Sequence, residues 1–164
     1  MTLHTTIIKK ILLGAVLIGI AAGITLVIKE NLDTKDPESA LPRITVSYNG
    51  APLSDDAVLR AGFEWNFLTT KEKGPTLNVD DLPLHAVDVL PQVPVTVSFS
   101  KTPDELKISR SEGRGSQDFI EITSEKSGEI LTPTVPNVYT YKVEASWHMR
   151  GSVLYYFSVQ TKEL

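Results

Sequence analysis

Few side chains in this sequence could do chemistry, and their spacing limits what that chemistry could be. There are three histidines, His4, His85 and His148, and no cysteine. The missing cysteine removes thiolate catalysis, disulfides, Cys-based zinc sites and a lipid anchor on sulfur. Hydrolysis by a Ser-His-Asp arrangement needs a histidine set between a nucleophile and a carboxylate. His4 falls in an N-terminal tail, His85 in an irregular stretch and His148 at a turn, so no such trio is read. A metal centre needs three or four converging ligands. His85 with the adjacent Asp80 and Asp81 falls short, and the spacing of Asp33, Asp36 and Glu38 matches no calcium loop. Asp55-Asp56 and Asp80-Asp81 are sequence neighbours whose side chains diverge on extended backbone. They give no support for a pair of carboxyls flanking a cleft. The segment Ser111-Glu112-Gly113-Arg114-Gly115-Ser116 lacks the Gly-Lys-Ser/Thr ending of a phosphate loop and reads as a flexible tip. No cofactor and no metal is expected, and the chain is not expected to be an enzyme.

The elements that would position these residues differ sharply along the chain. Residues 11 to 28, Ile11 through Ile28, carry no charge. Eighteen helical residues span about 27 Å, and the hydrocarbon core of a bilayer is about 30 Å thick. Lys9 and Lys10 can snorkel, which lets Ile7 and Ile8 extend the span. A transmembrane signal anchor is expected over 11–28, behind a short inside tail at 1–10. The alternative is a secreted protein cleaved near Gly23, after Ala21-Ala22, which leaves an apolar mature terminus. Basic residues flank the run almost evenly. A ten-residue tail holds no domain, so the reading is tail inside and downstream part outside. Ala15, Gly19 and Gly23 recur at spacing four, the small-residue pattern that lets membrane helices approach closely.

Beyond the run the chain holds 14 basic and 20 acidic side chains, a net of −6. That balance repels phosphate backbones, so nucleic acid is not an expected partner. Residues 29–42 are charged and contain Pro37 and Pro42, and read as a stalk. The domain is expected over 43–164. Ile44, Val46 and Tyr48 alternate with polar residues, as do Phe63, Trp65 and Phe67, then Val93, Val95, Val97 and Phe99. Asn49-Gly50 is a hairpin turn signal. Residues 69–92 look irregular, and so long a connection suggests a binding or mobile loop. Near the C-terminus Tyr139, Tyr141, Val143, Ala145 and Trp147 share one face of a strand. A short turn at His148-Met149-Arg150-Gly151 returns Tyr155, Phe157 and Val159 to the same face. Seven or eight short antiparallel strands make the fold mostly β, a two-sheet sandwich behind one N-terminal helix. Alternation leaves Tyr156 on the outer face, free for recognition.

The last hairpin resembles strands F and G of immunoglobulin-like domains. Tyr139 stands two residues before Tyr141, which takes the place of the second antibody cysteine, so Tyr139 is a candidate tyrosine corner. A wider likeness follows the order Tyr48-Asn49-Gly50, Gly62-Phe63-Glu64-Trp65-Asn66, Val95-Thr96-Val97-Ser98-Phe99, Pro103-Asp104-Glu105-Leu106, Tyr139-Thr140-Tyr141, Ala145-Ser146-Trp147 and Tyr156-Phe157. It is similar to small membrane-tethered extracytoplasmic domains of Gram-positive, Bacillus-like bacteria. The resemblance implies an immunoglobulin-like fold and an envelope location, and brings no catalytic residues. The expected function is a membrane-anchored binding module, with an envelope protein as partner and with His148, Met149, Arg150, Tyr156 and His85 as contact residues. The alternatives are an accessory subunit docking through Ala15, Gly19 and Gly23, and a cell-wall hydrolase.

Overall fold

A computed structural model describes residues 2–113, 118–123 and 128–162. Arg114, Gly115 and Ser116 of the expected tip lie outside the described residues.

Helix α1 runs from Thr2 to Lys35, 34 residues, or about 51 Å. From Ile7 onward it is long and apolar enough to cross a membrane, and none of that apolar stretch is buried. The hydroxyl of Thr25, the one polar side chain in the run, donates to the Ala21 carbonyl at 2.9 Å, which satisfies it without a partner helix. Residues 29–35, read above as stalk, continue the helix. Pro37 ends it, having no N–H to give and clashing with the preceding turn. The short helix α2, Pro37–Ala40, opens on that proline.

The sandwich unit comprises residues 41–66 and 71–162. Its strands are β1 (Ile44–Tyr48), β2 (Ala51–Pro52), β3 (Val58–Asn66), β4 (Lys71–Lys73), β5 (Ala86–Val89), β6 (Pro94–Phe99), β7 (Glu105–Glu112), β8 (Ile120–Thr123), β9 (Glu129–Leu131), β10 (Val138–Trp147) and β11 (Gly151–Thr161). Two sheets form, a four-stranded one in the order β2-β1-β6-β9 and a seven-stranded one in the order β4-β3-β11-β10-β7-β8, with β5 also on β11. The expected seven or eight strands are thus joined by very short ones.

Local chemistry explains the elements. Asn49 and Gly50 both adopt positive φ, 47° and 79°, which a tight hairpin turn between β1 and β2 requires. Pro94 begins β6, where its missing N–H does least harm. Strands β10 and β11 pair from Val138↔Gln160 to Trp147↔Gly151.

Alternation sends the aromatics of this hairpin inward. Tyr141 and Phe157 stack face to face, 4.7 Å apart and 4° from parallel. Trp147 meets Trp65 edge-on at 5.5 Å and Phe99 at 5.4 Å. Phe99 lies on the opposite sheet, so this contact clamps the two layers together. Such pairs add roughly 0.5–1.5 kcal/mol each beyond their burial. Val46, Val95 and Val97 fill the facing layer.

Two expectations are corrected here. The 69–92 connection is not one irregular loop. It holds β4, a 3-10 turn at Val79–Asp81 and β5. β11 is long enough to serve two neighbours along one edge, pairing antiparallel with β3 over Gly151–Phe157 and parallel with β5 over Ser158–Thr161. Tyr156 does face outward from the core, but it is not free. It is 7% exposed and packs with Ala61 and Val79, flanked by Leu82, Leu84, Phe119 and Leu154. A second small core therefore covers part of the outer face of the large sheet.

Candidate functional site

The sandwich has two ends, and they differ. The chain joins it at Leu41. Ile44 pairs with Phe99, the Ser100 N–H donates to the Arg43 carbonyl at 2.8 Å, and the Trp147 indole donates to the Lys101 carbonyl at 3.2 Å. The turn His148-Met149-Arg150 therefore belongs to this proximal end. Tyr48, Leu90, residues 131–137 and Tyr139 make up the distal end.

The proximal turn is tightly specified. The Arg150 N–H donates to the Trp147 carbonyl at 3.0 Å. The His148 N–H donates to Asp104 Oδ2 at 2.7 Å. The Asn66 side-chain amide donates to the Met149 carbonyl at 3.3 Å, and the Arg150 guanidinium reaches the Asn66 carbonyl at 3.4 Å. Met149 is held at φ 62°, a left-handed conformation that costs a residue with a Cβ about 1–2 kcal/mol. Its side chain is 81% exposed. Gly151 follows at φ 131°, where an added Cβ would stand 1.9 Å from the Glu64 carbonyl oxygen. Three of the expected contact residues, His148, Met149 and Arg150, thus share one rigid, strained turn.

His85 lies elsewhere, exposed before β5. Its charge acts on Asp56, whose carboxyl is held below its usual range first by a Ser54 hydroxyl bond and then by its own backbone N–H. A catalytic trio needs the histidine between serine and carboxylate. Here the Ser54 hydroxyl bonds the Asp56 carboxylate itself, and His85 acts on that carboxylate through charge alone. Ala15, Gly19 and Gly23 are uncovered, and a Cβ added at either glycine meets nothing within 4 Å.

A groove of about 470 Å³ crosses the open half of the large sheet's outer face, lined by Glu64, Lys73, Glu105, Lys107, Glu144 and Ser146 among others. Its carboxylates are partnered. Glu64 pairs with Lys71, and the Lys71 hydrogen bond and charge hold its carboxyl below the usual range. Glu144 pairs with Lys142 at 2.9 Å. The Ser146 hydroxyl donates to Glu105 at 3.4 Å. A glycosidic acid needs a raised pKa, and Glu64 is shifted the other way. Among the described residues no group of three His, Asp or Glu side chains could hold a metal ion.

Sequence reasoning missed the distal end. Leu90, Leu131 and Val135 are 50%, 52% and 62% exposed; Leu131 ends β9, and Leu90 and Val135 lie on loops. The fully buried Thr132 hydroxyl donates to the Leu90 carbonyl at 2.7 Å and accepts from the Val93 N–H at 2.9 Å. The Thr161 hydroxyl donates to the Val135 carbonyl at 2.7 Å, and Thr161 lies opposite Val89. The three residues are scattered in sequence. The only signal was their setting among Pro91, Pro133 and Pro136, which stiffens loops. No family model matches the chain, and no curated protein or solved structure matches it.

Proposed function

We propose that the chain is a membrane-anchored extracytoplasmic binding module whose distal end docks a protein partner of the cell envelope. The observation that carries this reading is the trio Leu90, Leu131 and Val135, exposed at the end of β9 and on loops held by Thr132 and Thr161, remote from the point where the chain joins the sandwich. Apolar groups fixed in this way present contact area with little ordering cost. No charged residue interrupts the stretch from Leu131 to Asn137, so an apolar protein surface suits it better than an ionic ligand. Helix α1 supports anchoring, because an apolar face exposed all round suits lipid. An outside domain is in keeping with the likeness to tethered domains of Gram-positive bacteria.

The test uses the full chain in lipid vesicles, offered to solubilised envelope proteins. One saturable partner is expected, captured at least tenfold more weakly by the double variant Leu131→Asp, Val135→Asp. Equal capture by both proteins overturns the reading.

A further inference from the structure

We infer that the proximal turn is a second contact surface, which rests on the bilayer itself: Met149 enters the boundary between headgroups and acyl chains, and Arg43 and Lys101 meet anionic headgroups. This rests on the reading of α1 as a membrane anchor.

The first support is reach. Residues 29–40 separate the apolar run from Leu41, and α1 and α2 make all but one of the twelve helical. At 1.5 Å per residue they extend about 18 Å. The headgroup layer takes roughly 5–8 Å of that. The covalent path from the apolar run to Leu41 is therefore short. The distal trio lies the length of β10 away, about 33 Å for its ten residues.

The second support is chemistry. Met149 is the most exposed large apolar side chain in the described chain. It is flexible and polarizable, suited to a disordered surface. Arg43 and Lys101 are exposed on the same end, and their long stems let the charge stay with headgroups while the carbons lie on apolar ground. An apolar wedge among basic groups is the pattern of interfacial anchors. Asp104 sits among them, but its carboxylate accepts the His148 N–H, so it serves the turn.

The third support is the strain at Met149. Left-handed backbone at a residue with a Cβ persists only where surrounding groups enforce it. Asn66 and Asp104 hold this turn from two other segments of the chain. A turn of the same shape with glycine would be simpler to build, yet would present no side chain. One methionine binds lipid weakly in solution. Tethering makes the contact intramolecular, where a weak interaction suffices to set orientation.

The chain has no cysteine, which makes the test clean. Met149→Cys and Leu131→Cys are each introduced in the full chain, labelled with an environment-sensitive dye and reconstituted in phosphatidylcholine–phosphatidylglycerol vesicles. A fraction of the lipid carries a headgroup nitroxide. The dye at 149 is expected to be quenched at least threefold more than the dye at 131. Adding Arg43→Glu and Lys101→Glu should at least halve quenching at 149. Flotation with equal quenching at both sites overturns the lipid contact and leaves the anchor standing. Failure to float with vesicles overturns the anchor and the contact together.

Discussion

The Tyr139 hydroxyl donates to the Val135 carbonyl four residues upstream, at 2.9 Å. This is the tyrosine corner expected from an immunoglobulin-like hairpin. It pins the distal loop to the first residues of β10, and so ties the exposed Val135 to the core. Two residues on, Tyr141 points the same way, and its buried hydroxyl makes no hydrogen bond of good geometry among the described residues, with the Arg110 guanidinium nearby. The two tyrosines therefore respond oppositely to loss of their oxygen. Tyr139→Phe should cost about 1 kcal/mol in a denaturant melt. Tyr141→Phe should be neutral or stabilising, because it removes a desolvated group and keeps the stack on Phe157. A larger loss at Tyr141 than at Tyr139 would contradict this assignment.

Trp147 joins the two sheets through Phe99, and it anchors the proximal turn through Lys101. Trp147→Ala is expected to cost about 3–5 kcal/mol, enough to unfold a domain of ordinary stability. Gly151→Ala acts on the same turn by another route, since its Cβ cannot fit beside the Glu64 carbonyl. A cost of about 2–4 kcal/mol is expected from that clash and the strained φ. An unchanged thermal melt for either variant would show that the turn is not held as described.

The strain at Met149 has a signature opposite to these. Glycine adopts positive φ freely, so Met149→Gly should stabilise the sandwich, by about 0.5–1 kcal/mol after glycine's extra unfolded-state entropy. If the turn serves the bilayer, the same variant should lose lipid contact while gaining stability. Gain in one and loss in the other separates a strained functional turn from an ordinary one.

Tyr156 shows where local pattern stops being informative. Its outward direction was legible, because strand alternation is a period of two. Its burial was not, because the cover comes from Val79, Leu82, Leu84 and Phe119, residues without periodicity in segments rich in proline and aspartate. The inner faces of β10 and β11, the Asn49-Gly50 turn and the Tyr139 corner were legible, since each is written in adjacent or alternating residues. The parallel pairing of Ala86–Val89 with Ser158–Thr161 was not, since nothing in either segment names a partner some seventy residues away. The distal trio was hidden for the same reason: Leu90 joins Leu131 and Val135 only after folding. Tyr156→Ala should accordingly behave as a core deletion. A loss of about 2–4 kcal/mol is expected, read as a lower denaturation midpoint.

Alkaline pH gives a last check on the core. Burial pushes the Tyr141 hydroxyl up to about 12, opposed by the nearby Arg110 guanidinium. Burial likewise raises Tyr139 and Tyr156. A folded pKa above the unfolded value of 10.0 means that the native state resists losing the proton. Titration of Tyr141 therefore leaves native stability intact below pH 10 and lowers it as pH rises toward 12, where the unfolded chain ionises and the folded one does not. A tenfold difference in proton affinity between the folded and unfolded states corresponds to about 1.4 kcal/mol, so the loss across this window is on the order of 2–3 kcal/mol. Denaturant midpoints measured from pH 8 to 12 should fall steeply above 10, and Tyr141→Phe should flatten the fall. A wild-type profile flat to pH 12 would mean that the Tyr141 hydroxyl reaches water, and that the sheets are not closed over it.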